Sequence, residues 1–415
     1  MLTPAEFQRS DGLAGWRALN GGAFAWFEAP SHAAGAELLR RISTLGTVDV
    51  DLRRRGVRVR IGREPEGYPD SAVALARAIS GAASELRLVA DPAALRSLQL
   101  TLDARDIDSA AAFWGAALGF ERTADDLLAD PERRLPRLWL QEQDDDRALR
   151  QRIHLDISRH RGLDPDGATA AGGRFLEGPY GLRYADAEGN EADLIPTGPL
   201  GSDDATSDWL AGFAGMVRYP SASPETASEL AARAAELADE AGIPLAIDVR
   251  AGALTIDSGK DRWEEEPGFE ALATAIQAEA RALGLAADPT ELAFLQAVID
   301  AADIETVRSF WRQLLVLEED PRPGVTDLVD PAGLVPVLVF QDLAEDDQER
   351  RQQRNRFHLD LFVPDDQAEA YLDRALAAGG RIVYDAYAPD WWTIADPEGN
   401  EVCIAVAAGR EERSS

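Results

Sequence analysis

Histidine is scarce in this chain, four residues in 415, and two of them stand in a repeated context. QRIHLDI at 151–157 and NRFHLDL at 355–361 each place an imidazole, which titrates near neutrality, inside a strand-like run. Period-2 alternation turns Asp156 to the same face as His154, and Asp360 to the same face as His358. A histidine so placed can be a hydrogen-bonded core or pocket residue, a metal ligand, or a general base. The aspartate two residues on can orient the ring. A second echo bears on that choice. YADAEGNEADLIP at 184–196 and IADPEGNEVCIAVA at 394–407 are near copies, but one carries Asp193 where the other carries Cys403. A carboxylate binds a divalent cation directly. A thiol must first lose its proton, and nothing basic lies beside Cys403 in sequence to help it do so. A cysteine in an apolar run is also a small buried hydrophobe.

The elements that must position these residues are themselves repeated. LQLTLDARDIDSAAAFWGAALGF (98–120) matches LQAVIDAADIETVRSFWRQLLVL (295–317), and RLWLQEQDD (137–145) matches PVLVFQDLAEDD (336–347). AAGGRFL (170–176) matches AAGGRIV (377–383), in the same order. Each copy reads as βαβββ twice. The first helix of the second copy shows Ile304, Val307, Trp311 and Leu314 at helical spacing. In the first copy the second helix is cut to little more than a turn, DPDGATAAGG. The segments before each copy echo more weakly, which gives an A–B–A′–B′ plan. The expected boundaries are 1–92, 93–199, 200–288 and 289–407, with a frayed tail at 408–415.

Composition limits the partners. Forty-two basic residues face 74 acidic ones, a net charge of −32. Such a surface repels phosphate backbones and anionic lipid, so neither nucleic acid nor membrane is expected as a partner. Lys260 is the sole lysine, and the single cysteine excludes an intrachain disulfide framework. No apolar run approaches the roughly 20 residues of a membrane helix, and the N-terminus does not read as a secretory signal. The expected compartment is the reducing cytoplasm.

Paired βαβββ modules, with FW…LGF on the first helix, R-x-H-L-D on a strand and D-P-E-G-N-E before the last strand, resemble the vicinal oxygen chelate superfamily. That group includes glyoxalase I, extradiol dioxygenases and bleomycin resistance proteins, and the resemblance covers 98–196 and 295–406. It implies an α+β fold: two glyoxalase-like domains alternating with two small α+β domains. It also implies that paired modules curl into a cup, with metal ligands on the first and last strand of each module. Carried over residue by residue, the first cup would draw on Gln99, His154, Asp193 and either Gln141 or Glu142. The second would draw on Gln296, His358, Cys403 and either Gln341 or Asp342. Strand parity lets only one of each adjacent pair face inward. The candidate metal set is then Gln99, Glu142, His154 and Asp193. If they share a zinc, nickel, iron or manganese ion, the tips of Gln99, His154 and Asp193 should lie within roughly 5 Å of one another. Binding should weaken below about pH 6, where an ordinary imidazole protonates.

The A segments resemble pterin-4a-carbinolamine dehydratase, through L-x-G-W at Leu13–Trp16, FAWFEAPSHAAGAELLRRIS, and V-R-V-R-I at 57–61. That family carries a His-His-Pro triplet where this chain has Thr47, Val48 and Asp49. Proton shuttling near neutral pH suits histidine best, so 4a-hydroxytetrahydropterin dehydration is not expected. His32 reads as a surface residue at a helix start. Three functions follow. The first is a cup that binds a small organic molecule and does metal-dependent lyase, isomerase or dioxygenase chemistry. The second is a metal-free, aromatic-lined binder of the drug-sequestering kind. The third is a dehydratase fusion. A homodimer is the candidate assembly. Trp391 and Trp392 read as packing residues or as a substrate platform.

Overall fold

A computed structural model describes residues 1–145, 147–160, 165–176, 178, 182–344 and 346–407. The expected tail at 408–415 lies outside them. The chain divides into two compact units. One gathers 1–96 with 197–292, the other 97–196 with 293–406. The repeats are thus interleaved: like segments fold with like.

In the first unit ten strands form one sheet. The two A segments meet where Asp49–Arg53 pairs antiparallel with Ala246–Arg250. Helices His32–Leu45, Asp70–Glu85, Pro224–Ala241 and Phe269–Ala282 share a single apolar core with one face of that sheet. The register sets Asp51 directly opposite Asp248, a like-charge pair that would be repulsive alone. Arg250 bonds to Asp51, and Arg53 reaches Asp248 at 2.7 Å. Burial alone would raise the Asp51 carboxyl, but Arg250, Arg58 and Arg53 hold it well below the usual range. His32 departs from the sequence reading. It is buried, with Nδ1 at 3.0 Å from Asp239 and Nε2 at 3.0 Å from the Leu245 carbonyl. Both partners lie more than 200 residues away along the chain, so no local pattern could reveal them.

The second unit holds two eight-stranded sheets. The first runs Arg381–Tyr384, Trp391–Ala395, Glu401–Ala405, Phe357–Phe362, Ser97–Ala104, Leu138–Glu142, Leu127–Ala129, Glu121–Ala124. The second runs Arg174–Leu176, Arg183–Ala185, Glu191–Pro196, Ile153–Arg159, Ala293–Ala301, Val337–Asp342, Leu328–Val329, Glu318–Glu319. Each sheet therefore joins the first module of one repeat to the second module of the other. The central pairings are antiparallel, His154 opposite Val298 and His358 opposite Thr101. The sequence expectation of one cup per repeat is overturned. All modules present equivalent first strands, so pairing within a repeat and pairing across repeats satisfy the same hydrogen bonds. Sequence pattern cannot choose between them.

One core serves both sheets. Leu100, Leu102, Leu138 and Leu140 of the first sheet share it with Leu155, Ile157, Ala297 and Ile299 of the second. Helices Ile107–Leu118 and Ile304–Leu315 insert Trp114 and Trp311 into it, both fully buried. Asp106 and Asp303 cap the two helices, accepting from Ser109 N and Thr306 N. Each tryptophan donates to the aspartate of its own repeat's turn, Trp114 to Asp186 and Trp311 to Asp396, both at 3.0 Å. In the first repeat the short second helix is observed as Pro165–Ala170.

Candidate functional site: two cups built across the repeats

The motif R-x-H-L-D divides its labour by parity and by reach. Leu155 and Leu359 face the core. The arginines hold the opposite repeat's turn: Arg152 donates to the Glu398 carbonyl at 2.8 Å, Arg356 to the Glu188 carbonyl at 3.1 Å. The turn glutamates in turn accept from backbone N–H groups ahead of each first helix. Glu398 caps Ala302 and Asp303, and Glu188 caps Arg105. The histidine and aspartate face the cup.

Across the second sheet one row of directly opposed residues reads Arg183, Asp193, Asp156, Gln296. The matching row in the first sheet reads Thr393, Cys403, Asp360, Gln99. The aspartate two residues after each histidine thus sits at the middle of the cup floor. Its partner is the glutamine of the other repeat: Gln296 Nε2 donates to Asp156 at 2.8 Å, Gln99 Nε2 to Asp360 at 3.1 Å. The imidazoles are not oriented by these aspartates, because Nε2 to Oδ1 is 3.6 Å in both cups, beyond hydrogen-bond reach.

Gln99 therefore belongs with His358 and Cys403, and Gln296 with His154 and Asp193. The expected convergence of Gln99, His154 and Asp193 does not occur, since Gln99 lies in the other sheet. Glu142 is likewise set aside. It has the parity of buried Leu140 and is exposed, whereas Gln141, opposite Asp103, shares the Gln99 face. By the same reasoning Gln341, opposite Asp300, faces the His154 cup and Asp342 does not.

The His154 cup is the more highly charged. His154 is 1% exposed, and among the described residues neither ring nitrogen has a hydrogen-bond partner. Burial is the main cause that pushes its pKa down, to about 4, against the opposing pull of Asp300 and Asp193. Ligand atoms of His154, Asp156 and Asp193 lie within 4.8 Å of one another. Gln296 Oε1 is buried and has no hydrogen-bond partner among the described residues. Arg183 grips Asp193 with two bonds of 2.7 Å and also reaches Glu191 at 3.2 Å. The rim carries Arg150, bonded to Glu191 and Asp300, and Arg350, bonded to Asp300.

The His358 cup keeps the scaffold and the rim charges, with Arg147 on Asp103 and Arg354 on Glu401, but loses the arginine–aspartate fork of the floor. Asp360 accepts from Gln99 and, at 2.8 Å, from Thr101. Cys403 Sγ lies 3.3 Å from Thr393 Oγ1, where the other cup has its arginine–aspartate fork. Burial, then the Asp360 charge, push the Cys403 thiol well above its ordinary value, so it stays protonated. His358, Asp360 and Cys403 also lie within 4.8 Å of one another, but a neutral thiol makes this the poorer metal set. Sequence reasoning missed Arg183. The signal was present in the aligned text, GLRYADAEGN against WWTIADPEGN, which pairs Arg183 with Thr393 one strand before Asp193 and Cys403.

Two cup-shaped polar faces on one βαβββ-built core define the class of fold, and the family comparison agrees with it. Residues 99–195 and 296–405 match the family model described as the glyoxalase-like domain. The chain carries this domain, of the vicinal oxygen chelate kind, twice. Among solved structures, glyoxalase I from Zea mays is similar at 11% identity and a TM-score of 0.34, over 75% of this chain and 93% of its own. A glyoxalase/bleomycin resistance protein/dioxygenase family enzyme from Burkholderia phytofirmans is similar at 21% identity and a TM-score of 0.21, over 27% of this chain and 96% of its own. No curated protein matches the chain. Among the described residues no helix is long and apolar enough to cross a membrane.

Proposed function

We propose that this protein binds a small organic molecule in its cups, and that the His154 cup holds a divalent cation that acts on it. The observation that supports this is His154: a buried imidazole with both nitrogens unpartnered, facing two carboxylates. An unpaired buried polar atom costs about 1–3 kcal/mol unless something arrives to meet it. With its pKa near 4 the ring is neutral at physiological pH, the form that coordinates metal. His154, Asp156, Asp193 and Gln296 Oε1 offer nitrogen and oxygen donors suited to zinc, nickel, iron or manganese. Ligand atoms of the first three lie within 4.8 Å of one another, with His154 Nε2 3.6 Å from Asp156 Oδ1, against roughly 3–4 Å between ligands at 2.0–2.2 Å from one ion.

A bound cation would polarise a carbonyl, hydroxyl or dioxygen-derived oxygen of the ligand. The chain's own groups do the rest. Gln296 Nε2 holds one oxygen of Asp156, leaving the carboxylate fixed in position to take a proton. Arg183, with two bonds to Asp193, stops that side chain from turning out of the cup. The reaction class is a lyase, isomerase or dioxygenase one. The test is equilibrium dialysis of the full chain against zinc or nickel. One ion per chain is expected, lost in His154→Ala and kept in His358→Ala. A His154→Ala protein that retains its ion would end this reading.

The A segments fit a structural role better than pterin chemistry. Thr47 is exposed, and Val48 and Asp49 are half-buried. None of the three is a histidine, the residue best suited to the proton transfers of dehydration.

A further inference from the structure

The His358 cup differs from its twin in two linked ways. It has aromatic walls, and its floor has Thr393 where the twin has Arg183. Trp139 stands opposite Thr101 on the cup face, where the other cup has Val339 opposite Val298. Trp391 lies on the same face as Thr393, two residues along; its counterpart in the first repeat's sequence is Gly181. Trp392 is the packing residue of the pair, buried in the core. Tyr387 stacks on Trp391 with centroids 4.2 Å apart and planes 17° apart, and is itself 53% exposed. Tyr384 follows at 6.0 Å. These rings form a stepped aromatic surface that runs out from the cup floor.

At the floor, Asp360 is 6% exposed. Its hydrogen-bond partners Gln99, Thr101 and Cys403 are neutral, His358 Nε2 stands 3.6 Å away, and among the described residues no arginine or lysine is bonded to it. In the twin cup Arg183 supplies positive charge beside the carboxylates, and its place here is taken by Thr393. A buried carboxylate without a cation is costly unless a cation is delivered to it. His358 adds a buried Nδ1 without a hydrogen-bond partner.

We propose that the His358 cup is a second, metal-independent site for a planar aromatic cation. The ring system stacks on Tyr387 and Trp391, and its charged end points at Asp360. Strand spacing gives the ligand's size. From Trp391 to Asp360 is two strands across and two residues along, about 12 Å, which fits three fused or linked rings. Stacking and cation–carboxylate attraction select the same class of molecule. An anion of equal size meets Asp360 and the chain's strongly negative charge. The proposal rests on reading the cups as small-molecule sites, but not on the metal of the other cup.

The test uses metal-free full-length protein, titrated with the tricyclic cation acriflavine and followed by dye fluorescence. Fluorescein, an anion of similar extent, serves as the counter-probe. One saturable acriflavine site is expected, weakened about tenfold or more by Asp360→Asn and by Tyr387→Ala, and unchanged in Asp156→Asn. Tyr387 is an exposed loop residue, so its replacement leaves the fold intact. The proposal is overturned by no acriflavine binding, by equal binding of fluorescein, by insensitivity to both variants, or by loss in Asp156→Asn instead. Failure here, with the zinc site at His154 intact, sinks this inference alone.

Discussion

At the scale of the residue, identity matters less than company. His154 and His358 occupy matching positions, yet only the His154 cup holds an arginine–aspartate fork, Arg183 with Asp193, at its floor. Its depressed pKa has a consequence for stability. Between pH 6.5 and about 4 the unfolded chain binds a proton on this histidine and the folded chain does not. Stability carried by this group is therefore full above pH 6.5 and falls as pH drops to about 4, by about 3 kcal/mol in all. Urea unfolding of wild type and His154→Leu across that range should show the variant losing less. The same shift moves the onset of proton competition for metal from about pH 6, expected for an ordinary histidine, to about pH 4. Cys403 offers the complementary check. Its thiol is held protonated, so native protein at pH 8 should react with iodoacetamide many times more slowly than urea-unfolded protein. Equal rates would contradict the placement of Cys403 beside Asp360. From sequence alone the two histidines were visible as candidates and Asp193 against Cys403 marked their cups as different, but the pairing of Arg183 with Asp193, and of Thr393 with Cys403, comes from neighbouring strands.

At the scale of the element, the repeats reveal where one copy settles for less. The helix Ile107–Leu118 ends at Gly119 in the left-handed region, φ 72°. The matching helix Ile304–Leu315 ends at Val316 with φ 54°, a conformation that a β-branched residue adopts only under strain. Val316 is half exposed, so little apolar burial is at stake. Val316→Gly should therefore stabilise the protein by about 1 kcal/mol, read as a rise in the urea midpoint. Removing the indole N–H is the converse case. Trp311→Phe leaves buried Asp396 short of a donor and should cost about 1–3 kcal/mol. The elements themselves were legible in the text: strand parity, the capped first helices, the D-x-E-G-N-E turns and the shortened second helix of the first repeat all follow local rules. The roles of Arg152 and Arg356 were not, since each reaches a turn in the other repeat.

At the scale of the whole molecule, duplication made two cups that neither repeat holds alone. Each cup takes its glutamine from one copy and its histidine from the other. A chain cut between the repeats should keep this dependence: residues 1–196 and 197–415, produced separately, should each expose an unpaired first strand and associate on mixing. Size-exclusion chromatography with light scattering would show a 1:1 complex, and two inert monomers would contradict the pairing. The sequence showed that there were two copies, but pairing within a repeat and across repeats leaves the same hydrophobic pattern. First-strand position within a repeat therefore names the wrong glutamine for each cup. This makes the glutamines the sharpest probe of the account. Isothermal titration of zinc into Gln296→Ala and Gln99→Ala variants compares the two directly. If the His154 site is built across the repeats, Gln296→Ala should weaken zinc binding about tenfold or more and Gln99→Ala should leave it at the wild-type value. Weakening by Gln99→Ala with Gln296→Ala unaffected would contradict both the crossed cups and the site they form.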